Sequence, residues 1–239
     1  MRPSNLLYKT SVAINEYIHI AIPTVGEVLD HENLYYGLVS MLTSVPADTE
    51  MMVLLDDNGI DYTEIDDYGL FLLLWRDIAH SDTRMIFGDT DLRGFEIAIN
   101  EENGTLALVN QDTGAVIDRA IYEDISDTLR QIHHLKKNIR KPANKEAKEY
   151  LLERARKKLR RRKKDCQSPL EELIIALVNT EQFSYTYGSV RDMTIYQFNE
   201  SLRQIAHKID YDNRMRGVYA GTVNVKDLSQ DDLNWLKHK

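Results

Sequence analysis

The chain has 239 residues, with 30 Lys or Arg against 38 Asp or Glu and a formal net charge of −8. That length holds one large domain or two small ones and buries enough surface to need no metal or disulfide staple; the single Cys166 excludes an internal disulfide and suits a reducing compartment. The longest apolar runs, Leu70–Trp75 and Leu173–Val178, are too short to span a bilayer, and no secretory leader is evident, so the expectation is an intracellular protein with no membrane partner.

Residues 10–22 alternate apolar and polar around Asn15-Glu16, which predicts a hairpin or two short strands. Thr24 and Glu27 have capping-box spacing, so an amphipathic helix is expected from there to about Thr43. A second helix starts near Pro46-Ala-Asp and stops at Asp56-Asp57-Asn58-Gly59, where Asn and Gly tolerate left-handed backbone. A third covers about Asp66–His80, and its stretch Leu70–Trp75 should form the centre of the first core. The period then changes to two. Phe95, Ile97 and Ile99, then Leu106 and Leu108, then Val116 predict a three-stranded β-meander turned by Asn103-Gly104 and Thr113-Gly114.

A helix follows over about Tyr122–Lys137, ended by Pro142. The next starts near Asn144 with an apolar stripe at Leu151, Ala155 and Leu159. Ser168-Pro169 with Glu171-Glu172 marks another helix start, Thr194 opens a long helix, and residues 227–236 read as a short terminal helix packing Leu233, Trp235 and Leu236. The fold class is thus α+β and mostly helical. The expected layout is an acidic N-terminal α+β domain (1–137) with the hairpin and meander, a basic helical connector (138–167), and an all-helical C-terminal domain (168–239).

Charge is unevenly spread. Lys136 to Lys164 holds fifteen bases and three acids, a net of +12, whereas the first 130 residues hold twenty-four acids and seven bases. Residues 154–164 contain ten like-charged pairs at i, i+3 or i, i+4, worth roughly 2–5 kcal/mol of repulsion before screening. This helix reads in three ways: a solvated face, a nucleic-acid contact over 145–164, or a rod docked on acidic protein. The acidic remainder repels a polyanion and no aromatic is interleaved in 154–164, so docking is preferred. The residues expected to carry it are Arg154, Arg156, Lys157, Lys158, Arg160, Arg161, Arg162, Lys163 and Lys164. The chain offers its own complementary acidic surface, within one subunit or between copies, which predicts head-to-tail oligomers.

Catalytic patterns are missing. The sequence has no phosphate-cradling glycine loop, no Gly-x-Ser-x-Gly elbow and no helical His-Glu-x-x-His site. Adjacent His133-His134 read as surface or helix C-terminal residues, Asp89-Thr-Asp91 as an acidic turn, and Asp56–Gly59 as a helix stop rather than a calcium loop. Neither catalytic nor metal-binding residues are assigned, and neither cofactor nor enzymatic activity is expected. The thirteen tyrosines, Tyr35-Tyr36 and Tyr185-Thr-Tyr187 among them, suit either protein contacts or half-buried core positions.

Three stretches carry a resemblance. They are Ile20-Ala-Ile-Pro-Thr-Val-Gly-Glu-Val-Leu29, Asn58-Gly-Ile-Asp-Tyr-Thr-Glu-Ile65, and Met193-Thr-Ile-Tyr-Gln-Phe-Asn-Glu-Ser-Leu202 with Tyr211-Asp-Asn-Arg-Met-Arg216. Together they resemble proteins of the structural-gene clusters of tailed bacteriophages and prophages, and the last is similar to small helical tail-assembly chaperones. The resemblance implies a non-enzymatic protein that engages phage structural proteins, the tape-measure protein among them, in the host cytoplasm during assembly. A connector or baseplate part retained in the virion is the other role it implies. The basic connector and the meander depart from the simplest such chaperones.

Overall fold

The computed structural model describes residues 5–99, 104–161 and 168–236. Strands β1 (Ser11–Ala13) and β2 (His19–Ala21) pair antiparallel with Val12 opposite Ile20. Their loop is held by Asn15, whose Oδ1 accepts the N–H groups of Tyr17 and Ile18 at 2.9 and 2.8 Å. The capping box forms at Thr24 and Glu27, opening α1 (Val25–Asp30).

The single helix expected to Thr43 is broken. His31 adopts φ −136° and ψ 33°, and α2 (Glu32–Thr43) starts afresh. The cause is tertiary. Val25 N–H donates to the Met193 carbonyl and Ile195 N–H to that of Pro23, both at 2.8 Å, so α1 is pinned to the segment before the long helix. Glu32 meanwhile accepts the Leu170 N–H at 2.9 Å and the Ser168 hydroxyl.

Helix α3 (Thr49–Asp57) stops at Asn58, where Gly59 takes φ +71°. Helix α4 (Asp67–His80) is capped by Asp66 and buries Tyr68, Leu70, Phe71, Leu74, Trp75 and Ile78. Phe71 stacks on Tyr122 with ring centroids 4.4 Å apart, and Trp75 Nε1–H donates to the Phe95 carbonyl at 3.2 Å. The run Leu70–Trp75 lies in the core as expected, apart from Leu73, which is exposed. A four-residue helix α5 (Arg84–Phe87), too short to leave a periodic signal, buries Ile86 and Phe87.

The meander forms as β3 (Phe95–Ile99), β4 (Leu106–Asn110) and β5 (Val116–Ile117), all antiparallel, with Ile97 opposite Leu108 and Leu108 opposite Ile117. Tyr68 Oη reaches the Ile117 carbonyl at 3.0 Å, tying the sheet to α4. Asn103 of the expected turn lies outside the described residues, while Gly104 has φ +69°.

Helix α6 (Arg119–His133) directs Ile125, Leu129 and Ile132 inward as expected, but it ends well before Pro142. His134 takes the left-handed conformation (φ +52°), and Leu135 N–H turns back to the Arg130 carbonyl at 2.9 Å. A left-handed cap ends a helix without proline. Then come α7 (Lys145–Arg161), α8 (Pro169–Val178) with Ser168 as cap, and α9 (Ile195–Tyr219) with a complete Thr194–Gln197 capping box.

The terminal helix expected over 227–236 is not formed. One 3-10 turn occupies Val225–Asp227, and Leu233, Trp235 and Leu236 are exposed. Side chains there compete for the backbone. Asn224 accepts the Lys226 N–H, Ser229 that of Asp232, and Asn234 that of Leu236.

One apolar cluster runs from Leu6 to Phe198 and includes Leu170, Ile174, Leu177, Val190, Met193, Ile195 and Tyr196. From Asn199 to Leu236 no described residue is buried. Phe198 is thus the last fully buried residue of α9, with Leu202 and Ile205 packing half-buried beyond it. Replacing it with Ala should cost about 3–5 kcal/mol in urea unfolding; a loss below about 1 kcal/mol would contradict the packing described.

Candidate protein-docking surface

Helix α7 is a charged rod with one apolar edge. Ala155 is buried, and Leu151, Leu152 and Leu159 are half-buried. Only the 151–155–159 stripe was legible from spacing; the packed edge is wider because Lys148 and Arg156 also turn inward. Asn144 caps the first turn by accepting the Ala147 N–H at 2.8 Å.

The helix packs along α3. Arg156 Nη2 lies 2.5 Å from an Asp56 carboxylate oxygen and 2.6 Å from one of Asp57. Lys148 pairs with Asp61 and lies 5.8 Å from the Tyr62 ring centroid. The hydrogen bond from Lys148, aided by those from Thr63, pulls the Asp61 carboxyl down to about 2. Partnership with Asp57 and Asp56 raises the Arg156 guanidinium further above its ordinary value. Asp56 and Asp57 sit in the last turn of α3, where the helix dipole disfavours negative charge, and Arg156 offsets that cost. These three aspartates escaped the sequence reading, which took Asp56–Gly59 as a stop alone. Two acids at a helix C-terminus were the available signal.

The opposite edge differs. Arg154, Lys157, Lys158, Arg160 and Arg161 are exposed, and none forms an ion pair among the described residues. A cleft of about 960 Å³ lies between this edge and the start of α3, lined by Thr49, Glu50, Tyr150, Glu153, Arg154, Lys157, Lys158, Leu159 and Arg161. Of the nine cations singled out from sequence, Arg156 is thus turned onto its own chain and five face outward. Arg162, Lys163 and Lys164 lie outside the described residues, as does Cys166.

The connector before α7 is anchored as well. Lys137 pairs with Asp67, and Asn138 Nδ2 donates to the Ala47 carbonyl at 2.9 Å. A second cleft, of about 830 Å³, separates residues 137–148 from the loop 61–67.

His133 ends α6 as expected but faces inward. Its Nε2 lies 2.9 Å from Tyr35 Oη, and its Nδ1 lies 3.4 Å from Asn199 Nδ2. Burial, with a smaller push from His134, lowers its imidazole to about 4. His134 Nε2 lies 3.1 Å from Glu200 on α9. Asp91 engages Arg93 at 3.1 Å and accepts its N–H. Tyr35 and Tyr196 are core residues, while Tyr185, Tyr187 and Tyr219 are exposed.

A family model described as the YomV second domain matches residues 161–239, a third of the chain that holds α8 and α9. That family is phage-associated, consistent with a phage or prophage origin for the chain. No curated protein and no solved structure matches it.

Because His133 is held neutral in the fold, its contribution to stability is complete above its ordinary value of about 6.5 and is lost as pH falls toward 4. Between about pH 7 and 4.5 it should account for roughly 2–3 kcal/mol of lost stability. Urea titrations of the wild type and of His133→Gln check this. The variant should lose less stability over that range, and equal losses would show that His133 does not titrate this way.

Proposed function

We propose that this chain is a non-enzymatic phage assembly or structural protein that works through protein–protein contacts, with the outer edge of α7 meeting acidic protein. The observation that carries the reading is the division of α7. Its inner edge already engages carboxylates of α3, while its outer edge repeats the same residue types at helical spacing toward solvent. Similarity of the C-terminal third to a phage-associated domain supports the setting. In that setting the partner is a phage structural protein, the tape-measure protein among the candidates, met in the host cytoplasm during tail building. A virion component would carry the same contact into the particle.

One observation favours a nucleic-acid reading instead. Tyr150, 63% exposed, lies in the cleft beside Arg154 and Lys157 and supplies the aromatic that residues 154–164 lack. Five phosphate contacts would give log affinity against log salt a slope of about −4.5.

The test is genetic. In the phage that encodes the chain, R154E/K157E/K158E/R161E should leave heads intact and strongly reduce tailed particles seen by electron microscopy. The substitutions are exposed, so the purified variant should keep its melting temperature. Normal tailed particles at wild-type titre would overturn the reading. Binding of RNA or DNA by the wild type with the slope above would favour the alternative.

A further inference from the structure

Resting on that reading, we infer that the acidic surface which the outer edge of α7 takes is that of a second copy of this chain. Three observations combine. First, this helix is already shown to fit this chain's carboxylates, since Arg156 spans Asp56 and Asp57, and Lys148 engages Asp61. Second, the first 130 residues carry twenty-four acids against seven bases, far more carboxylate than α7 meets within its own subunit. Third, part of that charge lies on a helix of matching pitch. Glu123 and Asp124 are exposed on the outer side of α6 beside Asp127, which also holds Arg130 at 3.1 Å, and the apolar side of the helix packs against α2, α4 and α9.

The outer cations Arg154, Lys157, Lys158 and Arg161 recur at three- and four-residue spacing, so one helix edge presents a continuous basic line to the acidic turns of another. The two surfaces are different patches of one molecule. Their contact closes reciprocally in a two-fold dimer, or repeats head to tail into a ring or an open filament. Exposed charge contacts are screened, with a Debye length falling from about 10 Å in 0.1 M salt to about 3 Å in 1 M. Association should therefore depend steeply on ionic strength.

Sedimentation velocity of the full chain tests this. The wild type should form species larger than the monomer at about 0.1 M salt and return to monomer at about 1 M. R154E/K157E/R161E alone, and E123K/D124K alone, should be monomeric in both buffers. Mixed in equal amounts, the two variants should associate again, because each then meets the opposite charge on the other. A wild-type chain that stays monomeric at both salts overturns self-association, even where the α7 variant blocks tail formation and the docking reading stands. Restoration failing in the mixture while the wild type associates overturns the assignment of α6. Conversely, salt-dependent association together with normal tailed particles from the α7 variant removes the proposed role in assembly and keeps the contact between copies.

Discussion

The bridge from Arg156 to Asp56 and Asp57 is the contact around which this charge distribution is arranged. It lets a helix with few acids lie on a domain with many. Its energetic weight is modest, because an ion pair open to water is largely screened. Like-charge repulsion among the described cations of residues 154–161, six pairs at i, i+3 or i, i+4, opposes it by roughly 1–3 kcal/mol before screening. The pairs alone therefore do not hold α7 in place. Burial of Ala155 and partial burial of Leu151, Leu152 and Leu159 supply the rest, at about 25 cal/mol per Å² removed from water. Apolar contact fixes that α7 docks, and the carboxylates of α3 and of Asp61 fix its register.

That division leaves one segment with two unlike edges. An edge that is docked and neutralised is structural. An edge with the same cations and no ion pair among the described residues keeps its repulsion until opposite charge arrives. The cost of holding Arg154, Lys157, Lys158 and Arg161 along one line is a standing bias toward any acidic surface of suitable pitch.

Much of the fold was legible because its signals are local. Thr24–Glu27 and Thr194–Gln197 are capping boxes in sequence and in structure. The alternation at Phe95, Ile97 and Ile99 produced a strand in the expected place. The failures came where distant contacts decide. Nothing near His31 announces a break; the backbone bonds from Val25 and Ile195 impose it. His134 ends α6 in a left-handed turn that its sequence gives no glycine to mark. The segment after α9 carried a helical pattern that local side-chain hydrogen bonds overrode. For the candidate docking surface, the cations were evident from composition, while their partition between two edges needed the position of α3.

Helix α7 is held by its inner edge, and hydrogen exchange on the full chain carrying Asp56→Asn and Asp57→Asn tests that most directly. Removing both charges should speed exchange of the amides in residues 145–161 by about three- to tenfold and leave α4 and α6 unchanged. Unaltered exchange in α7, or an equal rise across all helices, would contradict it.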